Sequence, residues 1–97
     1  MIRYSFHPEA EVELAEAALF YESRVERLGR SFAAEVQRTI ALIREYPDAG
    51  APLDLPVRRV LVGRFPYAVV YRHAAESVLL VASAHLHRRT GYWGRRQ

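Results

Sequence analysis

The chain contains no cysteine and no lysine. Without cysteine it has neither disulfides nor thiolate metal sites, which agrees with a reducing compartment, so we expect a cytoplasmic protein. Without lysine it offers no lysine general base, no Schiff-base lysine and no phosphate-loop lysine, and it also lacks a glycine-rich phosphate-binding motif. The composition therefore argues against a nucleotide-hydrolysing fold.

Long apolar runs are also missing. No stretch approaches the roughly 20 apolar residues that a membrane helix needs, and the start of the chain, Met1–Phe6, lacks the uninterrupted apolar stretch of a secretion signal. We therefore expect a soluble protein that does not contact membranes. With 97 residues, of which 51% are hydrophobic, the chain is expected to form a single domain over residues 1–97.

Charge is present in both signs but is unevenly distributed. Residues 57–97 carry eight arginines and one acidic residue, Glu76, for a net charge of +7, whereas residues 1–56 carry six arginines and ten acidic residues, for a net charge of −4. A cationic region of this kind attracts anionic partners and accelerates their association. Function is therefore sought in the C-terminal half.

Hydrophobic periodicity predicts a strand followed by two helices. Ile2, Tyr4 and Phe6 alternate with polar residues, which is typical of a half-buried strand. Apolar residues at three- and four-residue steps then predict a helix from Pro8 to about Arg27. Gly29 is expected to break this pattern before a second helix, which ends before Pro47.

The rest of the chain predicts strands. Residues 47–56 hold three of the five prolines and are expected to form an ordered but irregular loop. Three segments rich in Val, Leu and Tyr follow as hairpin-linked strands, at residues 57–63, 67–73 and 78–84. The last is apolar throughout residues 78–82, which indicates a strand covered on both faces in the middle of the sheet. The predicted fold is α+β, in the order β-α-α-β-β-β, with a helical hairpin packed on one face of a mainly antiparallel sheet.

Three local features occur in this order along the chain. They are the Val57-Arg58-Arg59 start of a strand, the hairpin from Gly63 to Arg72, and the closing His87-Arg88-Arg89-x-x-Tyr92-Trp93. Together with the order of elements they resemble the RelE/ParE superfamily of toxins, and the resemblance covers nearly the whole chain. It implies the toxin of a type II toxin–antitoxin pair, with roles in growth inhibition and plasmid stabilisation. Its cognate antitoxin would wrap and neutralise it, and operator DNA would be contacted only indirectly, through the antitoxin.

The charge pattern suggests how such partners would bind. Arginines can form bidentate, charge-assisted contacts with the carboxylates of an acidic antitoxin segment, and the helical hairpin would add an apolar groove. Arginines beside aromatic side chains can also anchor a protein target. The candidate antitoxin- or target-binding residues are Arg58, Arg59, Arg64, Arg72, Arg88, Arg89, Tyr92 and Trp93, although Trp93 is the more typical of a residue that caps the core.

The resemblance includes two branches with different targets. RelE-like members cleave messenger RNA on the ribosome, and the resemblance implies that they use two basic residues two positions apart on the strand after the helical hairpin and another after the tyrosine of the next strand. Here Arg59 matches the first position, but Leu61 occupies the second and Ala68 follows Tyr67. Because two basic positions are lost, we favour the ParE-like branch, which inhibits DNA gyrase and has no agreed catalytic residues.

The ribonuclease hypothesis remains as an alternative, because RNA cleavage needs only proton transfer and cations that stabilise the phosphate. Histidines can transfer protons near neutral pH. The catalytic candidates in that case are Arg59, His85, His87, Arg89 and Tyr92. A third hypothesis is a non-toxic basic adaptor with the same fold.

Other candidate sites have simpler interpretations. His85 and His87 would share one strand face, but no third ligand lies near them in sequence, so we expect neither a metal ion nor another cofactor. The acidic residues Glu9, Glu11, Glu13 and Glu16 are attributed to helix-start electrostatics and solvation. Arg95 and Arg96 are assigned to a frayed end.

Overall fold

The computed structural model describes residues 2–54, 56–89 and 91–96. Its elements, in chain order, are β1 Arg3–Phe6, α1 Pro8–Arg24, α2 Leu28–Glu45, β2 Ala51–Asp54, β3 Val57–Leu61, β4 Tyr67–Ala74, β5 Ser77–His85 and a short 3-10 helix, Gly94–Arg96. The strands form one sheet in the order β1-β5-β4-β3-β2, in which β1 and β5 are parallel and the other pairs are antiparallel. The predicted α+β fold is therefore confirmed, with one additional strand. No helix in the described part of the chain is long and apolar enough to span a membrane.

The additional strand, β2, lies in the segment that was predicted to be an irregular loop. It pairs with β3 at the edge of the sheet, where Pro52 lies opposite Arg58. An edge strand tolerates proline because one of its sides needs no backbone donor. The high proline content of residues 47–56 suggested a loop, but the segment contains an edge strand, the type of strand in which proline is tolerated.

The junction between the helices differs from the prediction in its position. Gly29 does not break the helix but lies in the first turn of α2, and the chain reverses at Arg27, whose φ is 70°. The Glu22 carboxylate accepts hydrogen bonds from the backbone N–H groups of Arg27 and Gly29, at 2.8 and 3.0 Å. A Cβ on Gly29 would collide with the carbonyl oxygen of Ala18. This glycine is therefore explained by the close approach of α1 and α2 and not by chain reversal.

The sheet buries both of its faces. The face that packs against the helices is called the inner face, and there Phe32, Val36, Ile40 and Ile43 of α2 contact strand residues such as Leu80. The opposite, outer face has a second apolar cluster, formed by Val57, Val70, Val81, Ala82, Ala84 and Trp93. Because β5 lies between β1 and β4, it is an interior strand as predicted, although the middle strand of the five is β4.

A bulge in β5 changes the direction of its last side chains. Tyr71 pairs with Leu80 and Val70 with Ala82, so that Val81 is an extra residue. Such bulges re-aim the side chains that follow them. Beyond the bulge, Ser83 and His85 point toward α1, whereas Ala84 belongs to the outer cluster.

Strand β5 also extends beyond its neighbour β1. Strand β1 pairs only with Ser77–Leu80, and the chain then leaves the sheet to enter α1 after the backbone N–H of His7 donates to the carbonyl oxygen of Leu80. Residues 81–85 therefore have no strand beside them on this side. Unpaired strand edges are unfavourable unless other groups satisfy their polar atoms.

Candidate protein interface around the C-terminal segment

The free edge of β5 is covered by side chains that come from both ends of the chain. Glu13 of α1 accepts a hydrogen bond from the backbone N–H of Ser83 at 3.1 Å. Arg96 donates to the carbonyl oxygen of Val81 at 3.2 Å. A carboxylate and a guanidinium thus supply the acceptor and the donor that a neighbouring strand would otherwise provide.

These two side chains also bind each other. The Nη1 atom of Arg96 lies 2.8 Å from Oε1 of Glu13, and both side chains are only 11% exposed. Arg96 Nε contacts Glu9 at 3.1 Å, and Arg88 contacts Glu13 at 3.3 Å. These four residues together with Tyr92 are called the Glu13 cluster. It fastens the C-terminal segment, residues 86–96 apart from residue 90, to α1 and β5.

Tyr92 occupies the centre of this cluster. Its ring lies 3.6 Å from the guanidinium carbon of Arg88 and 5.0 Å from that of Arg96, so both cations contact its π face. Its hydroxyl is buried and makes no hydrogen bond with the described residues. Burial, and secondly the nearby Glu13 carboxylate, raise the pKa of Tyr92 well above its usual range. The ionised form of Tyr92 is therefore disfavoured in the folded protein, and its ring packs against two arginines.

The sequence-based interpretation of this region was wrong for two residues. Arg96 is not part of a frayed end, and Glu13 is not merely solvated at the helix start. A signal for Glu13 was present in the sequence: Ala10 and Ala17 of α1 are both buried, and Glu13 lies three residues after the first and four before the second. A carboxylate on the buried stripe of a helix requires partners. Those partners are 70 or more residues away in sequence.

Trp93 has the core-capping role. It is 7% exposed and packs on the outer apolar cluster, with Tyr92 against its edge at a ring distance of 5.2 Å. Its side chain is therefore not available to an incoming partner. The short 3-10 helix follows directly and delivers Arg96 to the edge of β5.

The two histidines lie next to each other on the α1 side of the strand end. Their rings are 5.1 Å apart, and the backbone N–H of His87 donates to Nδ1 of His85 at 3.0 Å. The His85 ring also contacts the Tyr67 ring at 5.1 Å and, with Phe20, lines a groove of about 290 Å³ between α1 and the sheet. No group of three or more potential metal-ligating side chains occurs in residues 2–54, 56–89 and 91–96.

The five catalytic candidates do not all converge. Arg59 emerges on the outer face, because it alternates along β3 with the inner-facing Val60. His85 contacts Tyr67 on the inner face and also lines, with Arg59, a small hollow at the end of β5. Tyr92 packs against two arginines. Arg89 is exposed in the segment after β5. The described residues thus present no cluster in which an acid, a base and several cations face one phosphate.

The four strand and turn arginines also separate into two groups. Arg58 is half-buried and donates to the carbonyl oxygen of Gly50 at 3.0 Å, and Arg64 lies 3.7 Å from Glu35 of α2. Arg59 and Arg72 belong to the outer face by strand alternation. Arg58 and Arg64 therefore serve internal contacts first, and the arginines free of such contacts lie on the outer face and after β5.

Exposed apolar side chains occur on both the outer face and the helical side of the described part of the molecule. On the outer face, Leu61 and Leu86 are 57% and 42% exposed. They form, with neighbouring residues, what is called the outer patch: Arg59, Leu61, Ala68, Ala84 and Leu86. On the helical side, a groove of about 440 Å³ between α1 and α2 is called the hairpin groove. It is lined by Ala18, Leu19, Glu22, Gly29, Arg30 and Ala33.

Comparison with known proteins agrees with this architecture. The family described as the ParE toxin of type II toxin–antitoxin systems, parDE, matches residues 4–90. The fold is similar to that of a solved structure described as the chromosomal ParDE toxin–antitoxin system from P. aeruginosa, with a TM-score of 0.77 and 15% sequence identity over 88% of this chain and 96% of that chain. At this identity the likeness concerns the fold. No curated protein sequence matches the chain.

Proposed function

The chain belongs to the ParE toxin family of type II toxin–antitoxin systems, and from this premise we propose that it inhibits DNA gyrase and is neutralised by a cognate antitoxin. In this proposal the toxin acts by binding a protein and has no active site. It contacts operator DNA only indirectly, through the antitoxin, and it acts in the cytoplasm to arrest growth, with plasmid stabilisation as a consequence.

The observation that carries the choice of gyrase over RNA is the character of the outer face. A ribonuclease would need several cations there, since a phosphate that is attacked by a 2′-hydroxyl accumulates negative charge. Beside Arg59, however, the corresponding positions hold Leu61 and Ala68, and Leu61 is 57% exposed. An exposed leucine at this place supports protein binding.

The arrangement of the histidines supports the same choice. A general base must reach the proton that it removes, directly or through one water molecule. His85 is packed against His87 and Tyr67 and lines the groove next to α1. It also contributes to the small hollow beside Arg59, but His87 does not, so only one of the two candidate bases lies near that arginine.

The hairpin groove is the proposed docking site for the antitoxin. Its volume of about 440 Å³ and its apolar lining suit the side chains of a helical or extended segment. Leu19, on the rim of the groove, is 71% exposed and extends this apolar surface. Arg30 in the groove wall offers a cation to an acidic antitoxin.

The proposal is tested by inducing the chain in a bacterium, with and without its neighbouring reading frame, while DNA and protein synthesis are followed separately. We expect DNA synthesis to stop first, with double-strand breaks, and purified gyrase to lose supercoiling activity and accumulate cleaved DNA. Co-expression of the antitoxin should restore growth. An early loss of protein synthesis, with cuts in translated messages, would instead favour the ribonuclease, and normal growth would favour the adaptor.

A further inference from the structure

The outer patch combines two exposed leucines with alanines of the neighbouring strands. Leu61 pairs with Ala68 across β3 and β4, and Ala68 pairs with Ala84 across β4 and β5. Leu86 follows on the same side, and its backbone N–H donates to the carbonyl oxygen of Pro66 at 2.8 Å. The alanines are nearly fully buried, so the exposed apolar surface of the patch comes from the two leucines.

The surroundings of this patch are mainly cationic. By strand alternation, the outer faces of β3, β4 and β5 bear Arg59 and Arg72 and no acidic residue. The exposed Asp54 of the edge strand β2 lies opposite Val57, at the end of β3 away from Leu61. Arg88 and Arg89 follow β5, and Arg88 lines the same hollow as Arg59. Although Arg88 contacts Glu13, its side chain is still 51% exposed. An apolar centre with a cationic rim is complementary to an acidic surface that has an apolar projection.

The chemistry of the patch fits a protein better than a nucleic acid. Proteins that bind single strands offer exposed aromatic rings on which bases stack. Here Trp93 is buried, Tyr92 packs against Arg88 and Arg96, and the ring of His85, which also lines the hollow, packs against Tyr67 and His87. The most exposed apolar side chains of the patch are therefore the two leucines.

The shape fits a folded protein better than a peptide. The hollow between Arg59, Ala84 and Leu86 has a volume of only about 20 Å³, whereas the hairpin groove has about 440 Å³. A peptide needs pockets for successive side chains, whereas a flat patch with two projecting leucines suits a rigid, complementary surface.

We propose that the outer patch is the docking surface for the toxin's protein target, a folded protein with acidic groups around an apolar projection, and that it is separate from the antitoxin site in the hairpin groove. This inference rests on the proposed function, in which that target is gyrase. Leu61 and Leu86 are the anchors, and the arginines around them steer the encounter.

The test uses the full chain with Leu61→Ser and Leu86→Ser together. The matched control is Leu42→Ser, which alters a comparably exposed leucine on α2, 47% exposed and outside both surfaces. We expect the double variant to need at least tenfold more toxin than the wild type for half-inhibition of gyrase supercoiling. The control should inhibit like the wild type, and all three proteins should keep the same circular dichroism spectrum and the same antitoxin affinity.

Each alternative result has a defined meaning. If the double variant inhibits gyrase within twofold of the wild type, the patch is not the docking surface, although the proposed function stands. If it loses antitoxin affinity as well, the patch serves the antitoxin and the inference is wrong. Labelled single-stranded RNA that binds the wild type and not the double variant would identify a nucleic-acid surface and would also overturn it.

A failure of the proposed function is recognised separately, because the wild type would then not inhibit gyrase. Growth inhibition replaces supercoiling as the readout in that case. Relief of growth inhibition by the double variant but not by Leu42→Ser would support a docking surface for a different protein target. Equal toxicity of all three proteins, or no toxicity of any, would overturn the inference.

Discussion

The Glu13 cluster and the outer patch both contain arginines from the C-terminal half of the chain but use them in opposite ways. In the Glu13 cluster, Arg96 is 11% exposed and bonds to two carboxylates and a backbone carbonyl. In the outer patch, Arg59 is exposed beside two exposed leucines. The net charge of the C-terminal half therefore contains a structural part and a part that is available to partners.

The difference between the two regions shows that charge counts do not locate a binding surface. Two of the eight arginines after residue 56, Arg88 and Arg96, neutralise acids of α1, and a third, Arg64, lies near Glu35. The acidic and basic parts of the sequence are thus partly each other's partners. An acidic partner cancels part of an arginine's charge, so the arginines that lack such partners contribute most to the potential that attracts another molecule.

The largest loss of stability is expected where Trp93 covers the outer face. Trp93→Ala should lower the free energy of unfolding by about 4 kcal/mol, because it removes a buried aromatic side chain and leaves a cavity over the outer cluster. Chemical denaturation measures this change. Leu86→Ala, on the exposed part of the same face, is the control and should cost less than about 1 kcal/mol. Similar losses in both variants would mean that Trp93 does not cap the core.

The next largest loss of stability is expected at only one of two glutamates of α1. Glu13→Gln should lower the free energy of unfolding by about 3 kcal/mol, since it leaves the nearly buried Arg96 with less compensation. Glu16→Gln changes an exposed glutamate of the same helix and should stay within about 0.5 kcal/mol of the wild type. Thermal unfolding of both variants at one salt concentration makes the comparison. Equal stability would contradict the structural role of the cluster.

A smaller effect compares the arginines of the two regions directly. Arg96→Ala should cost about 2 kcal/mol, the magnitude of lost charge-assisted hydrogen bonds. Arg59→Ala should change stability by less than about 0.5 kcal/mol, because the side chain is exposed. Denaturation curves of the two variants test this ranking, and the reverse order would show that the division between structural and available arginines is wrong.

The smallest effect concerns Tyr92 and pH. Because burial raises the pKa of Tyr92 in the folded protein, its ionised form is disfavoured there, so the free energy of unfolding should fall as pH rises above the usual tyrosine value of about 10. Below that pH this group should have no effect. Tyr92→Phe should make the alkaline decline shallower, and not abolish it, since burial also raises the pKa values of Tyr21, Tyr67 and Tyr71.

The same variant should leave stability at pH 7 within about 1 kcal/mol of the wild type, since the Tyr92 hydroxyl makes no hydrogen bond with the described residues. Denaturation at a series of pH values measures both properties. An unchanged alkaline slope would mean that Tyr92 ionises as readily in the folded protein as in the unfolded chain.

Much of the fold could be predicted because its signals are local. The alternation at Ile2, Tyr4 and Phe6, the helical steps after Pro8 and the apolar run in β5 each follow from the neighbours of a residue along one element. Strand β2 was missed because its proline content is typical of loops, and proline is acceptable only where pairing leaves one side free. The position of the helix junction was missed because Gly29 is required by contact with another helix.

The candidate interface was predictable only in part. Arginines and aromatics near the C-terminus were recognised, but their division among buried, paired and exposed positions depends on contacts between distant residues. The bonds of Glu13 to Ser83, Arg88 and Arg96 span 70, 75 and 83 residues. No local pattern specifies such pairs.

The sequence by itself determined the α+β fold class, the helical hairpin, the interior position of β5 and the loss of the basic positions at Leu61 and Ala68. These properties follow from periodicity and residue type, which act over a few neighbouring residues. Only the tertiary structure decided which arginines are available to partners. Burial and ion pairing depend on where the free edge of β5, the carboxylate of Glu13 in α1 and the C-terminal segment meet in space.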